Sequence, residues 1–132
     1  MDCKWILLAE DDDALRELLR VSLLGQGYHV TTARDGQELV ATIGTALCKQ
    51  GAPRVPDLIV SDIRMPKHDG FQVLESIRSA DWCVPVVMIT AFATKETEAR
   101  AHALHAVLIS KPFDIKQLLE LVLQLTSADD QN

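Results

Sequence analysis

The sequence lacks any hydrophobic run long enough to cross a membrane. No apolar stretch among its 132 residues approaches the roughly 20 that a bilayer-spanning helix needs. Basic residues are also scarce, because 13 lysines and arginines stand against 19 aspartates and glutamates, for a formal charge of -6. Nucleic-acid backbones and anionic membrane surfaces require basic patches. We therefore expect no membrane insertion and no direct binding of nucleic acid.

Cysteines are few as well. Cys3, Cys48 and Cys83 are odd in number, far apart and without a C-x-x-C pair, which is typical of reduced thiols in a cytoplasmic protein. The short apolar run near the start of the chain ends in four acids, residues 10–13, which argues against a secretory signal peptide. We expect a cytoplasmic location.

Five short apolar segments alternate with helical patterns along the chain. The segments are Trp5–Ala9, Tyr28–Ala33, Asp57–Ser61, Val84–Thr90 and Ala106–Ser110. Apolar strands that are separated by helices form a parallel sheet covered on both faces. We therefore predict an α/β fold of the flavodoxin-like, doubly wound type, a (βα)5 three-layer sandwich with strand order 2-1-3-4-5.

The chain shows no linker that would divide it. We expect a single domain over residues 1–132, with a core at about 4–126 and a polar tail at 127–132. The stretch "CKQGAPRVP", residues 48–56, is rich in glycine and proline and predicts a loop.

Polar side chains follow the predicted strands at the points where those strands end. Glu10 and Asp11 follow the first strand, Asp62 the third, Thr90 ends the fourth, and Lys111 follows the fifth. Ligands of an open parallel sheet bind outside the carboxyl ends of its strands. These five side chains should therefore converge on one cleft.

Three carboxylates that lie close together repel one another. Two unit charges 4 Å apart interact by roughly 4 kcal/mol at an effective dielectric constant of about 20. A raised pKa, the ammonium of Lys111 or a bound cation would each compensate. Clustered carboxylate oxygens are ligands of Mg²⁺, which also neutralises phosphoryl oxygens. Asp62 is then a candidate nucleophile for a phosphoryl group.

Four motifs, "LLAEDD", "LIVSDIRMPKHDG", "VVMITA" and "ISKPF", stand in this order, each at a predicted strand end. With them the chain resembles the receiver domain of two-component response regulators over about residues 4–126. The resemblance implies that Asp62 accepts a phosphoryl group from a sensor histidine kinase or phosphotransfer protein, with Mg²⁺ or Mn²⁺ as cofactor. A downstream effector protein or domain would then respond. A receiver catalyses only its own phosphorylation and dephosphorylation, so no further enzyme activity is expected.

The resemblance also implies roles for individual residues. The metal ligands would be Glu10, Asp11, Asp62 and the backbone carbonyl of Arg64. Thr90 would bind the phosphoryl group through its hydroxyl and act as a switch residue. Lys111 would pair with the phosphoryl group, and its bond to Pro112 is usually cis in the family.

Three features depart from the family pattern. Glu10 replaces the commoner aspartate, and the connection before the third strand is several residues longer than is typical. Leu108 occupies the switch position where an aromatic residue often lies, so a rotating ring is not available.

The fourth helix, fifth strand and fifth helix form the usual signalling face of receivers, where we expect an effector or a second copy of the chain in a homodimer.

Two other interpretations remain open. One is a phosphorylation-independent, receiver-like interaction scaffold, which would normally have lost a site residue. The other is a Mg²⁺-dependent phosphohydrolase with an aspartate nucleophile, although haloacid-dehalogenase-type enzymes place D-x-D on the first strand. Nucleotide enzymes are disfavoured, since neither G-x-G-x-x-G nor a Walker loop is present. The chain itself would be either a stand-alone receiver or the N-terminal module of a longer regulator.

Overall fold

The computed structural model describes residues 3–48, 55–67 and 69–127. Most of the predicted loop at 48–56 and nearly all of the predicted polar tail at 127–132 lie outside these ranges. Within them, no helix is long and apolar enough to span a bilayer.

Five parallel strands form one sheet in the order β2-β1-β3-β4-β5, which confirms the predicted flavodoxin-like topology. Their bounds are β1 Trp5–Ala9, β2 His29–Ala33, β3 Leu58–Asp62, β4 Val86–Thr90 and β5 Val107–Ser110. Strand β3 continues one residue past the predicted end at Ser61. Asp62 pairs with Ile89 of β4, and the N–H of Ile63 still donates to the Ile89 carbonyl at 2.9 Å.

Each strand is followed by a helix. The helices are α1 Asp13–Gly25, α2 Gly36–Cys48, α3 Gly70–Ser79, α4 Lys95–Ala103 and α5 Ile115–Ser127. Aspartates that precede three of the helices cap their first turns. Asp12 and Asp69 accept backbone N–H groups of α1 and α3, and Asp114 accepts the N–H of Lys116 at 3.0 Å.

Two apolar clusters cover the two faces of the sheet and make three layers. Strand β1 shows why, because Leu7 and Ala9 point to one face while Ile6 and Leu8 point to the other. The first cluster includes Phe71 and Leu74 of α3, and the second includes Leu19 and Leu23 of α1 with Leu118 and Val122 of α5. Burial on both faces explains the near-continuous apolar character of the central strands.

The two tryptophans lie at the edge of the sheet where the strands begin. Trp5 opens β1, exchanges hydrogen bonds with Asp57 and donates its indole Nε1–H to Thr31 Oγ1 at 2.9 Å. Trp82 is half-buried in the loop before β4 and packs against the first apolar cluster. The polar side chains predicted to form a cleft belong to the opposite edge.

Candidate functional site

Three carboxylates meet at the carboxyl edge of the sheet. One oxygen from each of Glu10, Asp11 and Asp62 lies within 4.8 Å of the other two. Glu10 and Asp62 are buried and Asp11 is exposed, so the cluster has an inner pair and an outer member. The convergence follows from parallel pairing, since β1 and β3 are neighbours and end at the same level.

Lys111 joins the two inner carboxylates. Its Nζ lies 2.7 Å from Asp62 Oδ2 and 3.2 Å from Glu10 Oε1. Burial alone would lower the pKa of Lys111. The hydrogen bond to Asp62 and the charges of Asp62 and Glu10 outweigh that effect and raise the pKa. The ammonium therefore stays charged and partly neutralises the pair. The Lys111–Pro112 bond is cis, as the resemblance implied.

Glu10 is held in an environment that disfavours its charge. Desolvation raises its pKa, the N–H of Asp12 at 3.1 Å from Oε2 lowers it, and the charge of Asp62 raises it further. The balance raises the pKa of Glu10 to about 7. Within the described ranges its Oε1 accepts no well-formed hydrogen bond, because the contact with Lys111 is an ion pair of poor hydrogen-bond geometry.

This donor set fits a hard divalent cation. Three carboxylates supply oxygen ligands only, and the Oε1 atom of Glu10 is buried without a hydrogen bond from any residue that the structure describes. Positive charge would relieve the repulsion between the three carboxylates. The residues that the family resemblance implicates, Glu10, Asp11 and Asp62, are thus placed where they can bind Mg²⁺ or Mn²⁺ together.

Backbone N–H groups hold the remaining polar atoms of the site. The N–H of Arg64 donates to Asp62 Oδ1 at 3.1 Å, and the N–H of Phe92 donates to Thr90 Oγ1 at 3.1 Å. The Thr90 hydroxyl hydrogen meets no acceptor in the described part of the chain, although the residue is buried. It is therefore available to an acceptor that enters the cleft.

Two exposed side chains meet beside the cleft. The guanidinium carbon of Arg64 lies 5.6 Å from the ring centroid of Phe92, and Phe92 is 67% exposed. Arg64 follows β3 and Phe92 follows β4, so this cation–π contact connects the two loops that also bind Asp62 and Thr90 through their backbones.

Helix α3 begins close to the backbone at the end of β3. The N–H of Gly70 donates to the carbonyl of Ile63 at 2.8 Å. A Cβ at Gly70 would lie 2.6 Å from the Asp62 carbonyl oxygen and 2.8 Å from Met88 Cε. Only glycine permits this approach of α3 to the backbone of Asp62.

Leu108, the predicted switch residue, lies opposite Met88 in the pairing of β4 with β5. It is half-buried and packs against the first apolar cluster.

Sequence analysis did not identify Arg16 as a neighbour of the site. Its Nη1 donates to the Glu10 carbonyl at 2.9 Å. An arginine in the first turn of a helix is too common to indicate such a contact.

The comparisons with known proteins agree with this geometry. Residues 6–123 match the family model for the response regulator receiver domain. The chain is 36% identical over 129 residues to the response regulator MprA of Mycolicibacterium vanbaalenii, covering 95% of this chain and 52% of MprA. It is 33% identical to the DNA-binding transcriptional regulator NtrC of Salmonella typhimurium, covering 89% of this chain and 23% of NtrC. The chain thus spans about half or less of these curated relatives.

Solved receiver structures share the fold. The non-phosphorylated HemR receiver domain of Leptospira biflexa superposes with a TM-score of 0.81 at 31% identity, with 94% of each chain covered. The receiver domain of the Francisella response regulator 1452 gives 0.85 at 26% identity, with 96% of this chain and 98% of that one covered. This chain belongs to the response regulator receiver domain family of two-component systems.

Proposed function

We propose that residues 4–126 form one phosphoacceptor unit that receives a phosphoryl group on Asp62 from a sensor histidine kinase or a phosphotransfer protein. The observation that supports this most directly is the placement of Asp62. Its side chain is buried at the end of β3, Lys111 Nζ lies 2.7 Å away, and two further carboxylates lie beside it. A lone turn aspartate would need none of these partners.

In the proposed transfer, a carboxylate oxygen of Asp62 attacks phosphorus. The P–N bond to the donor imidazole breaks, and the nitrogen keeps the electron pair and takes up a proton from solvent. Lys111 exchanges its contact with Asp62 for one with a phosphoryl oxygen. The free hydroxyl hydrogen of Thr90 donates to another.

Glu10, Asp11, Asp62 and the backbone carbonyl of Arg64 would hold Mg²⁺ or Mn²⁺. The cation would neutralise charge on the carboxylates and on the incoming phosphoryl oxygens. Without that charge, three acids at the cleft would repel a dianionic group. We therefore expect phosphorylation to require a divalent cation.

Incubation with acetyl phosphate and Mg²⁺ tests the assignment. Intact mass should show one added phosphoryl group in the wild type and none in Asp62→Asn or without the cation. Asp69→Asn is the matched control, because asparagine caps a helix as well as aspartate does and Asp69 lies outside the acidic cluster. An Asp62→Asn protein that still gains a phosphoryl group would contradict the assignment.

The same experiment separates the alternative functions. A phosphorylation-independent scaffold would gain no mass under any condition. A phosphohydrolase would release inorganic phosphate over many turnovers without accumulating a phosphorylated form. Neither outcome is expected, because the wild-type chain retains every residue of the proposed site.

Phosphorylation on Asp62 would be read by a downstream effector protein or domain. We propose that the reader contacts α4, β5 and α5, or that a second copy of the chain docks there to form a homodimer. In this proposal the domain works in the cytoplasm and does not itself contact nucleic acid. Because Leu108 has no ring to rotate, the change at Thr90 would reach this face through repacking of an aliphatic side chain.

Lys111→Ala should uncouple the conformational change from phosphorylation more than it prevents phosphorylation. A charge-assisted contact is worth about 1.5–3 kcal/mol, which shifts a two-state equilibrium by roughly 10- to 150-fold. With beryllofluoride and Mg²⁺, amide chemical shifts in β5 and α5 should change in the wild type and in the control Lys116→Ala, which alters an exposed lysine. They should change little in Lys111→Ala. Equal changes in all three proteins would refute the coupling role.

The Arg64–Phe92 contact should prolong the phosphorylated state. Hydrolysis needs a water in line with the Asp62–phosphorus bond, and these two side chains can cover that approach. A cation–π contact at an exposed site is worth about 0.5–1 kcal/mol, so we expect Arg64→Asn/Phe92→Ser to lose its phosphoryl group at least about twofold faster. A phosphate-release assay measures both rates, and a faster wild type would contradict the expectation.

A further inference from the structure

Helix α4 has little apolar surface to hold it on the fold. Ala101, 1% exposed, is its only buried residue. Lys95, Glu96 and Glu98 are exposed and form no ion pair with any residue in the described ranges. Burial of one alanine side chain stabilises a helix only slightly. Other contacts must therefore fix the position of α4.

Arg78, near the end of α3, supplies one set of these contacts. Its Nε donates to the carbonyl of Leu104 at 2.8 Å and its Nη2 to that of His105 at 3.3 Å. Its Nη1 donates to the carbonyls of Trp82 and Val84 at 2.9 and 2.8 Å. One guanidinium thus joins the chain before β4 to the residues that follow α4.

The position of these carbonyls matters for α4. Leu104 is its C-cap residue, and His105 has a positive φ of 56° as the chain turns away from the helix. Carbonyls at a helix C-terminus lack intrahelical donors and carry the negative end of the helix dipole. The planar fork of Arg78 satisfies them and brings positive charge to that end.

Arg100 provides a second attachment on the same half of the helix. Its guanidinium carbon lies 4.5 Å from the ring centroid of Phe71, and its Nη2 lies 3.1 Å from Glu75 Oε2. Phe71 and Glu75 both belong to α3. Two arginines, Arg78 of α3 and Arg100 of α4, therefore hold the C-terminal half of α4 against α3.

The N-terminal half of α4 is attached differently. The N–H of Thr94 donates to Thr97 Oγ1 and the N–H of Thr97 donates to Thr94 Oγ1, which caps the helix. Residues 95–98 form no hydrogen bond or ion pair with another described helix or strand. Upstream, the N–H of Phe92 bonds Thr90 Oγ1. This hydrogen bond connects the side chain of Thr90 in the cleft with the segment that leads into α4.

We propose that Arg78 and Arg100 fix the C-terminal half of α4 and thereby set the Arg78-bound end as the point about which this helix pivots when a change at Thr90 displaces residues 91–98. The pivot itself is a property of the resting structure. The displacement at Thr90 rests on the proposed function, because a phosphoryl group must recruit the Thr90 hydroxyl.

Amide hydrogen exchange of the unliganded full chain tests the pivot. Loss of the guanidinium in Arg78→Met should speed exchange in residues 104–106 by about tenfold, because their local opening then needs no break of the Arg78 bonds. Arg20→Met is the matched control, since among the residues that the structure describes Arg20 pairs only with Glu17 on its own helix. Its exchange in residues 104–106 should equal that of the wild type.

If Arg78→Met leaves exchange in residues 104–106 unchanged, or raises exchange equally in α1, Arg78 does not fix the end of α4. If Arg78→Met does not fold, Arg100→Gln decides the question, since an exposed side chain contributes less to folding than a buried one. This variant should exchange about two- to fivefold faster over residues 99–106. No change there would overturn the proposal.

Beryllofluoride with Mg²⁺ tests the displacement. In the wild type, exchange should change in residues 91–98 by about threefold or more and stay constant in 99–106. In Arg78→Met the change should spread across 91–106. The inference would be overturned if exchange in the wild type changed over all of α4. It would also be overturned if exchange in residues 91–98 stayed constant in a protein that acetyl phosphate does modify. A protein that acetyl phosphate does not modify contradicts the proposed function, and the unliganded comparison still decides the pivot.

Discussion

A Glu10→Gln variant should gain stability relative to the wild type as the pH rises from 5 to 8, by about 2–3 kcal/mol in the free energy of unfolding. The cause is burial, helped by the charge of Asp62, which raises the pKa of Glu10 to about 7 in the folded protein. In the unfolded chain the carboxyl returns to its ordinary value of 4.5.

The direction follows from proton binding. Between pH 4.5 and 7 the folded protein keeps a proton on Glu10 that the unfolded chain has released, so raising the pH favours unfolding over this window. The stabilising contribution of the protonated form is complete below pH 4.5 and lost above pH 7. Glutamine stays neutral throughout and removes this dependence.

Urea unfolding at several pH values, without divalent cations, measures the effect. Glu120→Gln, an exposed carboxylate on α5, is the control and should follow the wild type. Saturating Mg²⁺ should flatten the wild-type curve, since a bound cation favours the ionised carboxylate. Parallel pH curves for the wild type and Glu10→Gln would show that Glu10 titrates as an ordinary surface acid.

Gly70→Ala should be the most damaging small substitution near the site. The new Cβ would lie 2.6 Å from the Asp62 carbonyl oxygen, a backbone atom that cannot move without shifting β3. Met88 Cε, at 2.8 Å, is the flexible end of a side chain and can give way. Overpacking of this kind destabilises by about 1–3 kcal/mol, even though alanine is the better helix former.

Gly44→Ala supplies the contrast. Gly44 lies inside α2, and a Cβ there meets nothing within 4 Å. We expect about 0.5–1 kcal/mol of added stability from helix propensity alone. Thermal unfolding of the two variants should therefore move in opposite directions, and phosphoryl uptake should fall only in Gly70→Ala because Asp62 is displaced. A Gly70→Ala protein as stable as Gly44→Ala would mean that the loop adjusts freely.

The sequence was sufficient to predict the strand order and the composition of the cleft. Both follow from regular patterns in the sequence. Unbroken apolar runs imply strands that are covered on both faces, and parallel strands bring their carboxyl ends to the same edge of the sheet. The positions at which the apolar runs end therefore predicted that Asp62, Thr90 and Lys111 lie at the carboxyl ends of their strands. A raised pKa was one of the compensations that the acidic cluster predicted, but its assignment to Glu10 was not predictable, because it depends on how completely the fold buries each carboxylate.

Contacts made by long side chains were also beyond sequence analysis. Arg78 donates to four carbonyls in two connecting segments, and Arg64 contacts Phe92 across two loops. Such contacts depend on rotamers and on loop conformation, which carry no periodic pattern. The polar sequence of helix α4, Lys95–Ala103, likewise carries no pattern that indicates anchoring by arginines.

The location of Trp5 and Trp82 decides what an optical experiment can observe. Both indoles lie at the edge where strands begin, and a five-residue strand of about 16 Å separates them from the acidic cluster. Intrinsic fluorescence should therefore respond strongly to unfolding and hardly at all to cation binding. A tryptophan introduced at Phe92, beside the cleft, would turn the same signal into a sensor of site occupancy, with the native indoles as an internal reference.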